Sequence, residues 1–241
     1  MMKRPITWLI LFLLFLTLAF QKGLSAEKAV GTQAASFLLL PYDAKSLGRS
    51  GVSSSLKGEA TCIYGNPAGL SSIKWREIQV SGAEWLAEIN YGSVLLALPL
   101  SKFGVGGVGL FYLNSGSIPK LGSSGENWGD FSVTDLALNL SFSREALSSV
   151  KGGSALGGKS LSIGGTFKII QEQIDDKRGY ATAFDLGAIY EINLLRTRLG
   201  LTAKNWGSAF SWAGGRKESL PTSINFGFTS NFFKERISLS M

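Results

Sequence analysis

The chain has 241 residues, no histidine and one cysteine, Cys62, with 24 basic residues against 17 acidic ones. Those counts exclude a Ser-His-Asp triad, a Cys-His dyad, a histidine-bearing metal site and an internal disulfide. The net charge of +7 is scattered along the chain, whereas a nucleic-acid-binding face needs clustered basic residues.

The first element opens with Lys3 and Arg4, continues as an apolar run over residues 6–20 and ends in "QKGLSAEKA". A basic start, an apolar core and a small residue at a cut site predict a signal peptide over residues 1–26, cleaved after Ala26. The run falls short of the roughly 18–20 apolar residues of a spanning helix. No cysteine directly follows the predicted cut, so a lipid anchor is not expected. Removing Lys3, Arg4 and Lys22 leaves 21 basic and 17 acidic residues, a mature charge of +4.

Residues 27–75 come next. Pro41, Gly48, Gly51, Gly58, Gly65, Pro67 and Gly69 would interrupt any long strand there. Asn66-Pro67-Ala68-Gly69-Leu70 is predicted as a turn feeding one short helical turn, with Pro67 at the tolerated first position. Cys62 is expected to be a small buried residue rather than a reactive thiol.

From residue 76 onward the pattern is one strand after another, with candidates at 76–86, 89–99, 103–114, 131–143, 159–173, 181–193, 196–206, 221–232 and 236–241. Leu136, Leu138, Leu140 and Phe142 share one face of a strand, and Asp135, Ala137, Asn139 and Ser141 share the other. Phe184, Leu186, Ala188, Tyr190 and Ile192 alternate with Asp185, Gly187 and Glu191; Ile224, Phe226 and Phe228 alternate with Asn225, Gly227 and Thr229. This period of two marks sheets with one apolar and one polar face.

Two motifs compete with that pattern. "GVGGVG" at 104–109 fits the dinucleotide fingerprint G-x-G-x-x-G, but the fingerprint must open a helix and "LFYLNSG" reads as strand. "GSALGGKS" at 153–160 fits the phosphate loop G-x-x-x-x-G-K-[ST]. The following "LSIGGTFKII" alternates as a strand, so the helix N-terminus that would complete an anion site is missing. Residues 152–158 are expected to be a flexible inter-strand loop, and no nucleotide is expected to bind.

Alternation fits a secreted β-sandwich or an outer-membrane barrel. Most candidate strands exceed the five or six residues usual in soluble proteins and approach the 9–11 of a transmembrane strand. Trp85, Tyr91, Tyr112, Trp128, Trp206 and Phe232 fall near strand ends, as membrane girdles do. The pattern favours an all-β, antiparallel transmembrane β-barrel, with a sandwich as the alternative.

Phe37-Leu38, Asp43-Ala44-Lys45-Ser46-Leu47-Gly48, Gly51 and Tyr64-Gly-Asn-Pro-Ala-Gly-Leu70 together resemble the start of PorV/PorQ-family outer-membrane proteins. Those proteins are similar to long-chain fatty-acid transporters of the FadL type. "DLALNLSFS", "IIQEQI", "AFDLGAIYEI", "LRTRLGLTAKNWG" and "LPTSINFGF" extend the resemblance over nearly the whole mature chain. It implies an N-terminal hatch, including Asn66, Pro67, Ala68, Gly69 and Leu70, that plugs a barrel formed by residues 76–241. Asp135, Asn139, Lys168, Asp185 and Glu191 are then expected to face the lumen. Leu136, Leu138, Leu140, Phe184, Leu186, Tyr190, Phe226 and Phe228 are expected to face lipid. No catalytic, cofactor-binding or metal-binding residue comes with the resemblance, and no enzymatic activity.

The implied work is passage or capture of hydrophobic small molecules, or an accessory role in type IX-like secretion with secreted cargo and other envelope proteins as partners. A structural envelope protein and a secreted sandwich binding module are the alternatives. The expected location is the outer membrane. At roughly 20 residues per strand and loop, the region after the hatch supplies eight or nine strands. The barrel is therefore expected to be incomplete at its C-terminus, as a fragment; a smaller closed barrel or an open sheet needing a partner are the other outcomes.

Overall fold

The computed structural model describes residues 33–41, 43–149, 159–192, 196–232 and 237–240. The expected signal peptide and the loop at 152–158 lie outside the described residues. The fold is all-β and antiparallel. Its main sheet follows the path β1 (Glu77–Glu84), β2 (Asn90–Pro99), β3 (Val105–Asn114), β6 (Val133–Ser149), β7 (Lys159–Ile174), β8 (Lys177–Ile192), β9 (Thr197–Gly207), β12 (Ser223–Phe232) and β13 (Ile237–Ser240). These nine strands correspond to the nine sequence candidates. Both motif decoys lie in or lead into strand: 105–109 belong to β3, and Lys159 and Ser160 open β7.

The sheet also departs from expectation. β6, β7 and β8 run for 17, 16 and 16 residues. The strand candidates at 159–173 and 181–193 leave residues 174–180 between them, yet the β7–β8 ladder continues to Ile174↔Lys177. Asp175, the first of two turn residues, takes φ 55, the sign a II′ hairpin turn requires there. Two hairpins were also missed. β4 (Ile118–Leu121) pairs with β5 (Asn127–Phe131) as a separate two-stranded sheet. β10 (Phe210–Trp212) pairs with β11 (Lys217–Glu218) and with the start of β8. Both hairpins lie at the same end of the main sheet, which carries the longer connections.

Polarity across the sheet sets everything that follows. The register aligns Ile78, Leu96, Val108, Leu140, Phe167, Phe184 and Trp206 in one row across seven strands. All seven lie on the outer face, and most are exposed. The opposite, inner face is buried and carries Asp135, Asn139, Thr166, Lys168, Glu172, Asp185 and Thr202. A water-soluble sheet places its apolar residues the other way round.

Tyr91 requires a correction. The sequence places it among the girdle aromatics, but it packs inward against Phe111, ring centroids 6.1 Å apart. The inner face of β2 and β3 is itself apolar, through Leu95, Ala97, Phe111 and Leu113. Strands apolar on both faces hide the alternation on which a face assignment rests.

Candidate functional site

Residues 33–41 and 43–73 lie against the inner face as short turns. A helix, α1 (Ala44–Gly48), is capped by Asp43, whose carboxylate accepts from the backbone N–H groups of Lys45 and Ser46. That cap satisfies two of the orphan donors at the helix start. A 3₁₀ turn follows at Ala60–Ile63 and another at Pro67–Ser72, the latter starting with Pro67 as the sequence predicts. The segment enters at the long-connection end, where the Ala34 N–H donates to the Ser219 carbonyl. It reaches the other end where the Ala60 N–H donates to Glu77 on β1 (3.1 Å).

The expected hatch residues form the seat of this segment. Asn66 is fully buried. Its amide nitrogen lies within donating distance of the carbonyls of Ser54 (2.5 Å), Ala188 on β8 (3.2 Å) and Leu201 on β9 (3.3 Å). Its Oδ1 accepts from the Ala68 N–H (3.1 Å), which caps the turn that begins with Pro67. The Ala68 carbonyl accepts from Ser143 Oγ on β6 (3.1 Å). Leu70 is fully buried and faces β3: a Cβ on Gly107 would lie 3.2 Å from it. Ser71 bonds Ser162 on β7 (2.7 Å), and Ser55 bonds Thr229 on β12 (2.7 Å). One short segment thus touches strands from β1 to β12, so the sheet must curve around it.

Close approach explains the glycines on this face. A Cβ on Gly187 would sit 1.9 Å from Asn66 Oδ1, and one on Gly200 would sit 1.9 Å from the Ser54 carbonyl. Gly200→Ala is therefore expected to destabilise the chain by about 1–3 kcal/mol through overpacking against backbone. Gly165, where a Cβ meets nothing nearer than 3.6 Å, should accept alanine with a much smaller loss. Denaturant titrations of the two variants check the contrast; equal losses would show that the segment is not seated on Gly200.

The charged residues expected to face the lumen all occupy the inner face. Asp135 stands across the ladder from Glu172, and Asn139 from Lys168. Lys168 pairs with Asp185 at 2.7 Å, the two side chains 2 % and 0 % exposed. Its Nζ also donates to Asn205 Oδ1 (2.7 Å), and the Asn205 N–H donates to Asp185 Oδ1 (2.7 Å). Glu191 lies further along β8, paired with Lys57 of the N-terminal segment at 3.0 Å. Glu172 accepts from the Ala35 N–H (2.7 Å). The polar face therefore does two jobs: it pairs Lys168 with Asp185 inside the sheet, and through Glu172 and Glu191 it holds the segment.

Asn205 is the member that strand alternation misses. The β8–β9 register shifts between Phe184 and Leu186, so Lys204 and Asn205 together oppose Asp185. Asn205 takes φ 59, a left-handed conformation that asparagine tolerates. Such a bulge re-aims a side chain, and here it turns Asn205 inward and Trp206 outward. The only hint in the sequence is two polar residues in succession before a tryptophan.

The residues expected to face lipid lie on the outer face. Leu140, Phe184, Leu186 and Phe226 are exposed; Leu136, Leu138, Tyr190 and Phe228 are partly so. Cys62 is buried, and its Sγ approaches the Leu56 carbonyl at 3.6 Å. Burial pushes the thiol pKa up to about 12. It stays protonated and unreactive, because the thiolate is the nucleophile. Among the described residues no group of histidine, cysteine and acidic side chains could hold a metal ion. No protein-family model, curated protein or solved structure matches the chain.

Proposed function

We propose that this chain is an outer-membrane β-barrel protein of the PorV/FadL type, with residues 33–73 as a hatch inside a partial barrel. One observation carries the reading: an exposed apolar outer face opposite a buried inner face that is ionic on β6, β7 and β8. In hydrocarbon, apolar side chains on the outside cost nothing, and polar ones belong in the interior. Tyr112, Tyr180 and Trp206 stand on that outer face toward the long-connection end, where an interfacial aromatic girdle would lie.

An interior filled by a bonded segment favours a protein that captures or passes on a hydrophobic ligand or secreted cargo over one that conducts water. The accessory role in secretion draws support from the β4–β5 hairpin, which exposes Leu121 and Trp128 beyond the main sheet. Binding of a fluorescent fatty acid by the detergent-purified protein separates ligand capture from cargo reception.

The membrane reading is tested by fractionation. The chain should stay in the outer-membrane pellet through carbonate washing, leave it with detergent and migrate differently on gels when unheated. Recovery as a monodisperse protein in detergent-free buffer would instead make it a secreted β-sandwich module. Pelleting without detergent extraction would favour a structural envelope protein.

A further inference from the structure

We infer that the outer face where the β2–β3 turn meets β6 is a site for the headgroup of an anionic phospholipid, held by Lys102 and Arg144. The inference rests on the membrane reading above.

The register places the two cations together. The β3–β6 ladder begins at Val105↔Ser143. Gly104, just before it, lies so close that a Cβ there would sit 2.3 Å from the Ser143 carbonyl. Lys102 stands shortly before that contact and Arg144 directly after it. Arg144 faces outward: its partner on β7, Ile163, is exposed, whereas Ser162, opposite Glu145, is fully buried. Lys102 is exposed too, and its Nζ lies 5.7 Å from the centre of the Phe103 ring. That arrangement holds an ammonium group against an apolar surface. Neither cation forms an ion pair among the described residues.

Apolar side chains adjoin them on the same face. Leu100, Phe103 and Phe142 are exposed. A Cβ on Gly104 would lie 3.1 Å from the Phe142 ring, and one on Gly106, on the outer face of β3, would lie 3.3 Å from Leu100. A fitting partner therefore joins an anion to an apolar chain, as an anionic phospholipid does. An acidic water-soluble protein would meet only the cations, because lipid covers the apolar side chains beside them.

Charge at the two ends of the sheet supports the same partner. Lys74, Trp75 and Arg76, exposed in succession just before β1, repeat the combination of base and aromatic ring. Among the described strand and turn residues at this end, exposed Lys74, Arg76, Lys102, Arg144 and Arg196 stand against one exposed acid, Glu145. Glu145 belongs to the inner-face set of β6. At the long-connection end the exposed charges balance: Glu84, Glu88, Glu126, Asp130 and Asp176 stand against Lys120, Lys177, Arg178, Arg216 and Lys217. In outer-membrane barrels the long connections are extracellular and the opposite turns periplasmic, so the basic rim meets the inner leaflet.

The test uses the full chain, refolded into phosphatidylcholine vesicles that carry a minor fraction of nitroxide-labelled lipid, either phosphatidylglycerol or phosphatidylcholine. Ser101→Cys, exposed in the β2–β3 turn, carries a bimane label; Tyr180→Cys, on the outer face at the long-connection end, is the comparison. Cys62 is buried and takes no label. Phosphatidylglycerol is expected to bind beside position 101 roughly fivefold more strongly than phosphatidylcholine, with no preference at 180. Added salt should weaken that preference, because the site is at the surface. Lys102→Gln with Arg144→Gln should bring the two lipids to parity, while phosphatidylcholine still quenches the label and so reports an inserted chain. Equal quenching at 101, an equal preference at both positions, or a preference that survives the double variant overturns the proposal and leaves the membrane reading standing. So does complete loss of the preference to excess inorganic phosphate at constant ionic strength, which would mark a site for free anions. Absence of quenching at both positions fails the membrane reading, and the proposal falls with it.

Discussion

Asp185→Ala is expected to cost the folded chain about 3–5 kcal/mol, because it leaves Lys168 charged and buried without its counter-ion. The geometry accounts for the size. Lys168 and Asp185 meet at 2.7 Å with almost no exposure, and Asp185 also accepts the Asn205 N–H. A single deletion therefore orphans a charge and a backbone donor together. Replacing both partners with apolar residues, Lys168→Met with Asp185→Leu, should recover most of that loss, since a buried ion pair seldom gains much over a well-packed apolar pair. Urea unfolding of the unaltered chain and the two variants in vesicles, followed by tryptophan fluorescence, checks the order. A double variant as unstable as Asp185→Ala would mean that the pair also fixes the bulge at Asn205.

Leu186→Arg is expected to cost about 2–4 kcal/mol if the outer face lies in the bilayer near its midplane. Leu121→Arg serves as the control. The two leucines are almost equally exposed, 60 % and 62 %, but Leu121 lies on the β4–β5 hairpin away from the main sheet. Around a water-soluble protein both substitutions would fall within about 0.5 kcal/mol of neutral. In a membrane only the one at 186 should be costly. Equal tolerance, measured by refolding into vesicles, would remove the membrane assignment. Leu186 suits the comparison because its row also holds Phe142, Ala203 and Ile224, with no polar neighbour to shelter an arginine.

Strand positions and their two faces were legible in the sequence because a period of two survives wherever one face is polar. Asp135, Asn139, Lys168 and Asp185 announce the inner face of β6, β7 and β8 by this means. The signal fails where both faces are apolar, as at Leu95, Phe111 and Tyr91. Turn composition misleads where a single residue such as Asp175 can accept a positive φ and let the ladder run on. The seat of Asn66 was legible only as a resemblance. Its contacts with the carbonyls of Ala188 and Leu201 join residues more than a hundred positions apart, and no local pattern encodes them. The glycines at 187 and 200 were visible as inner-face positions, but what they make room for is set by the segment opposite.

That seat also bears on how the strands find one another. Asn66 reaches the Ala188 and Leu201 carbonyls together, and these two residues are direct partners in the β8–β9 ladder. A slip of one residue between those strands would separate the two acceptors. It would also bring side chains to places where only glycine fits. The segment is made before any strand, so it can act as a template during assembly: strands that arrive in the right register are bonded to it, and strands that arrive out of register meet steric refusal. The interior piece then serves as a gauge of alignment as well as a filling, and its removal should show first as heterogeneous strand pairing.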